Sequence, residues 1–139
     1  MILEQQLKNT KIALRRWMEV PPENVIPGLH KWTSEHYKNP DCGTLACFGG
    51  WLSVMPEFVK MGVKRTVIGS PYMDKVYPME YPYSNARLLG KYLFGNSTIF
   101  NSRGRERTKI TDHQAVQNRL NNNIKRIEKR INSKLLRKS

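Results

Sequence analysis

Between Thr111 and Arg137 the chain carries one sustained period. Val116, Leu120, Ile124, Ile127, Ile131 and Leu135 recur at spacings of four and three, which places them on one stripe of an α-helix. Thr111 and Gln114 have capping-box spacing: the threonine hydroxyl bonds the Gln114 backbone, and the glutamine reaches back. A helix from there to residue 137 is ~38 Å long at 1.5 Å per residue. That is long for a chain of 139 residues. It predicts a mainly α-helical protein whose last helix packs by its stripe while its end projects, or pairs with a second copy as a homodimer.

The remaining elements follow from periodicity and punctuation. Residues 1–19 read as a helix with Leu3, Leu7, Leu14 and Met18 on its apolar stripe and Lys8, Lys11, Arg15 and Arg16 elsewhere. Pro21 and Pro22 stop it. Residues 21–40 hold four of the eight prolines and read as an irregular connection with a short helix over 28–37. Residues 43–55 are apolar on most sides and suit a buried helix. Pro56 opens a short helix through Met61, and Gly62 ends it. The valines and tyrosines of residues 63–83 allow one short strand pair, although prolines favour loop. Ser84 caps a helix over 85–94, and Gly95 stops it. The expected organisation is a helical core domain over 1–110, including the cysteine- and glycine-bearing helix, followed by a basic amphipathic helix over 111–139. This length fits one small domain.

Charge is the strongest pointer to function. Lys plus Arg number 24 against 11 Asp plus Glu, a formal net charge of +13. Residues 100–139 contribute twelve bases and three acids, leaving +9, and residues 1–99 contribute only +4. In the last helix Arg119, Arg126, Arg130 and Arg137 form a line beside the apolar stripe, broadened by Lys125, Lys129, Lys134 and Lys138. Ahead of it Arg103, Arg105, Arg107 and Lys109 alternate in a polar loop. Only Glu128 interrupts the bases after residue 113, so the like charges lack local pairing. Such a surface neutralises phosphates and releases counterions. Asn121, Asn122 and Asn123 add short side chains for sugars, phosphates or base edges. A solvated helix face, or a basic helix on an anionic membrane, accounts for the same pattern less fully. No helix-turn-helix spacing, zinc-finger ligand set or RNA-binding aromatic signature is present. The positive sign excludes a DNA mimic.

The stretch "PDCGTLACFGGWLSV", residues 40–54, holds both cysteines. Three chemistries compete there. A nucleophilic Cys42 at a helix start needs a base, and His30, His36 and His113 are the candidates. "DCGTLA" superficially resembles the start of the catalytic helix in papain-like cell-wall peptidases, yet His113 opens a helix instead of lying on a strand. A zinc site combines His30, His36, Cys42 and Cys47, at spacings that match no common structural site. Close packing needs only small residues, and Cys47, Gly50, Trp51 and Val54 share one helical face. Packing is the expectation taken, with no catalytic residue, no metal and no cofactor. Two cysteines make no disulfide framework and suit reduced thiols in a cytosol. "MILEQQLKNTKIALRR" lacks a signal-peptide core, and Cys42 to Pro56 is too short to span a bilayer.

"CGTLACFGGWL", with "ARLLGKYLFG" and "IFNSR" after it, resembles a set of small phage-encoded accessory proteins. They share Cys-Gly-Thr-x-x-Cys-x-x-Gly-Trp, matched here by Cys42, Gly43, Thr44, Cys47, Gly50 and Trp51. The resemblance covers residues 40–103 and implies a bacterial host cytoplasm and a role in host takeover or counter-defence. It carries no catalytic residue and does not reach the basic helix. The expected function is non-enzymatic binding of DNA or RNA through that helix and the loop before it. The alternative is an inhibitor docking onto an acidic host protein such as a nuclease or polymerase, with a cysteine hydrolase behind both.

Overall fold

The computed structural model describes residues 1–25, 48–65, 71–73, 86–100 and 112–138. It is mainly α-helical. Helix α1 (Leu3–Trp17) leads to a 3-10 turn (Pro22–Asn24). Then come α2 (Phe48–Leu52), α3 (Pro56–Met61), β1 (Val63–Arg65), β2 (Pro71–Met73), α4 (Ala86–Phe94) and α5 (Asp112–Lys138). The strands pair antiparallel with Val63 opposite Met73, inside the window that sequence marked for a strand pair. Pro56 starts α3, and Gly62, at φ 102°, ends it through bonds to the Phe58 and Val59 carbonyls, the left-handed stop that glycine permits.

The core gathers where these helices meet. Trp17, Leu52, Phe58, Leu89, Leu93, Phe94 and Leu120 are fully buried. Phe48 meets Trp17 edge-on at 5.3 Å and stacks on Phe100 at 5.4 Å. All of α2 is buried, as its apolar composition predicts. Gly90 lets the chain after α4 fold back across it. A Cβ there would lie 2.6 Å from the Asn96 carbonyl oxygen and 2.9 Å from Ile99 Cγ2.

Helix α1 departs from its expected face. Its buried residues are Leu3, Gln6, Asn9, Thr10, Ala13 and Trp17, whereas Met18 is 51% exposed and Leu7 and Leu14 are only half-buried. The Leu3–Leu7–Leu14–Met18 stripe is therefore not the core face. Half of the true face is polar, because it serves the end of α4 as described below.

A charge clamp holds α3 against α1. Arg16 donates from Nε and Nη2 to the two Glu57 carboxylate oxygens, each at 2.9 Å, and Arg15 adds a third bond at 2.9 Å. The Arg16 hydrogen bond holds the Glu57 carboxyl down at about 2, against a usual 4.5, although partial burial opposes this. The same pairing raises the Arg16 pKa. A carboxyl with a depressed folded-state pKa stabilises the fold fully above its unfolded value and loses that stabilisation as the pH falls toward the folded value. The Glu57 contribution should therefore fade between pH 4.5 and 2. Comparing Glu57→Gln with the parent by urea unfolding across that range, at low salt, should show the parent's extra slope vanish in the variant. The clamp is partly open to solvent, so the difference should shrink in high salt.

Candidate nucleic-acid interface

Helices α1 and α5 run antiparallel. At one end Trp17 Nε1 donates to the His113 carbonyl at 3.0 Å, and His113 Nε2 donates to the Trp17 carbonyl at 3.0 Å. The two rings stack at 4.9 Å. Midway, Asn123 Nδ2 donates to Thr10 Oγ1 at 3.1 Å. Farther on, Lys11 and Glu128 approach to 4.0 Å. His113 is thus a buried packing residue whose Nε2 is committed to a carbonyl. Cys42, Cys47, His30 and His36 lie outside the described residues. Among the described residues no three of His, Cys, Asp and Glu cluster to hold a metal ion.

The C-terminal end of α4 is inserted between these two helices. An α-helix leaves its last carbonyls without internal partners. Here side chains from both neighbours take them. Gln6 Nε2 donates to the Lys91 and Tyr92 carbonyls at 3.2 and 3.1 Å, and Asn9 Nδ2 to that of Leu93 at 2.9 Å. From the other side, Asn123 Nδ2 reaches the Phe94 carbonyl at 2.9 Å and Arg126 Nη2 that of Gly95 at 2.7 Å. Gly95 sits at φ +66°. This is why Gln6, Asn9 and Asn123 are buried.

Fixing α5 in this way sorts the arginine line into two halves. Arg119 Nη1 donates to the Ile99 carbonyl at 3.2 Å, and Arg126 bonds Gly95 and the Asn123 side chain. Both therefore act in the fold. Arg126 is also exposed, as are Arg130 and Arg137 beyond it and Lys125, Lys129 and Lys134. The apolar stripe ends in the same region: Ile127 is fully buried, but Leu135 is 62% exposed. The acid that α5 itself carries here, Glu128, turns toward Lys11 on α1. Lys138 lies in the helix, and Arg103, Arg105, Arg107 and Lys109 lie outside the described residues.

Of the three asparagines expected to face a ligand, Asn123 is 2% exposed and belongs to the α4 cap; Asn122 alone is fully outward. A groove of about 520 Å³ opens where α1 begins, between Ile2, Glu4, Lys91, Arg130, Lys134 and Leu135, among others. Lys91 was not legible as a site residue, because only the tertiary placement of α4 brings it beside Arg130 and Lys134.

Comparison with protein-family models, curated proteins and solved structures finds no match for this chain. Among the described residues no helix is long and apolar enough to cross a membrane.

Proposed function

We propose that this protein binds nucleic acid without catalysing a reaction, through the outward face of α5. The observation that carries the reading is the group of five exposed bases, Lys125, Lys129, Arg130, Lys134 and Arg137, which outnumber the acids near them: Glu128, turned toward Lys11, and Glu4, which shares the groove with Arg130 and Lys134. Each base that meets a phosphate releases a counterion and steepens the salt dependence. The resemblance of residues 40–103 to phage accessory proteins suggests a bacterial host cytoplasm and a role in takeover or counter-defence. In the sequence, Arg103, Arg105, Arg107 and Lys109 add four further bases ahead of α5.

Substituting Lys125, Lys129, Arg130 and Lys134 by Gln leaves Arg119 and Arg126 to their contacts in the fold. This variant should keep its circular dichroism and thermal midpoint. Its log–log salt slope for a DNA fragment should shrink by about 3.6, and its affinity should drop between roughly ten- and a hundredfold. An unchanged slope would refute the reading.

One observation favours the acidic-protein alternative. Ile2 and Leu135, 68% and 62% exposed, flank the groove that Lys91, Arg130 and Lys134 line, and phosphates gain nothing from apolar side chains. A pull-down from bacterial lysate with nuclease treatment separates the two: one stoichiometric protein that survives the nuclease supports the alternative.

A further inference from the structure

Resting on the nucleic-acid reading above, we propose that the ligand is double-stranded B-form DNA, with α5 lying in its major groove. At about 100° per residue, Lys125 and Lys129 fall within about 40° of each other. Arg130 and Arg137 fall within about 20° of each other. The two rows are roughly 100–120° apart around the helix. Between them lie Asn122 and Ser133, both exposed, short and uncharged, and Arg126, also exposed but bonded to the Gly95 carbonyl and the Asn123 side chain. A helix that carries cations on two flanks and small polar groups between them matches a groove: a phosphate row on either side and base edges at the floor.

The dimensions agree. A helix with its side chains is ~10–12 Å across, and the B-form major groove is about 12 Å wide. Lys125 to Arg137 spans ~18 Å, or about five base pairs. The face is open over this length, since Asn122, Lys125, Lys129, Arg130, Ser133 and Arg137 are all exposed.

Other nucleic acids fit this face less well. Single strands are held by stacking their bases on aromatic rings, and α5 contains no Phe, Tyr or Trp. A single strand also offers one phosphate row to two rows of cations. The major groove of double-stranded RNA is deep and narrow and does not admit a helix. Asn122 and Ser133 are too few to read a long site, so tolerance of sequence follows.

The test uses the full chain and three labelled probes of one sequence: a 20-base-pair DNA duplex, the DNA single strand and the RNA duplex. Fluorescence anisotropy at several salt concentrations should show the DNA duplex bound at least tenfold more tightly than either other probe. Its salt slope should reach about −3.6 for four phosphate contacts, one for each base of the two rows. Lys129→Gln with Arg130→Gln, one base from each row, should reduce the slope magnitude by about 1.8 with the fold intact. Netropsin, which fills the minor groove, should not displace the protein. Equal binding of the single strand or the RNA duplex overturns the B-form assignment and leaves nucleic-acid binding standing. Displacement by netropsin overturns the groove placement. No binding to any probe at 50 mM salt overturns this inference together with the function it rests on.

Discussion

Trp17→Ala should cost about 3–5 kcal/mol of stability, the usual range for removing a fully buried large aromatic. Trp17 is 0% exposed. Its ring stacks on His113 and meets the edge of Phe48, and its Nε1 holds the His113 carbonyl. Truncation removes the packing, opens a cavity and deletes the hydrogen bond that ties the end of α1 to the start of α5. For a chain of this length the loss corresponds to a fall of roughly 10–15 °C in thermal midpoint. Trp17→Phe retains most of the packing but not the N–H, so it should cost less, about 1–2 kcal/mol. Thermal unfolding followed by circular dichroism checks both. A loss under ~1 kcal/mol for Trp17→Ala would mean that the junction of α1, α2 and α5 is not the centre of the core.

Asn123→Ala should cost about 2–4 kcal/mol although it removes few atoms. The amide uses its full hydrogen-bonding capacity. Its nitrogen donates to Thr10 Oγ1 and the Phe94 carbonyl. Its oxygen accepts from Arg126 and Asn96, at 2.7 and 3.3 Å. Alanine orphans the Phe94 carbonyl in a buried place and loosens Arg126. Asn123→Asp, nearly the same shape, should not rescue the fold, since an acid oxygen replaces the donor facing two acceptors. Chemical denaturation of both variants checks this. A tolerated Asp would show that shape, and not the donor, matters at this position.

Neither residue's place was visible in the sequence: Trp17 lies off the stripe expected to be buried, and Asn123 was expected to face a ligand, yet both are buried. The long α5, the short α3 between Pro56 and Gly62, the stop of α4 at Gly95 and the strand pair were all legible, because period and punctuation are local. The packing face of α1 was not. Periodicity counts apolar residues, and three of the six residues α1 buries are Gln6, Asn9 and Thr10. Gln6 and Asn9 lie inside because the carbonyls of a helix more than eighty residues away need donors, which no local pattern reveals. The same limit applies to the arginines. Their regular spacing on α5 was plain, but only the placement of α4 shows that Arg119 and Arg126 serve carbonyls of this chain while Arg130 and Arg137 face outward. The bases themselves were legible; their division of labour was not.

The capping of α4 from two directions also bears on how the chain is made. Gln6 and Asn9 leave the ribosome early, and Asn123 and Arg126 emerge more than a hundred residues later. Until then the Phe94 and Gly95 carbonyls lack the donors they have in the finished fold, and Trp17 lacks the imidazole it stacks on. The growing chain can form its local helices, but it cannot close the junction that orders them. Completion of the fold therefore waits for the segment that carries the outward bases, and a nascent chain stalled before it presents no finished protein.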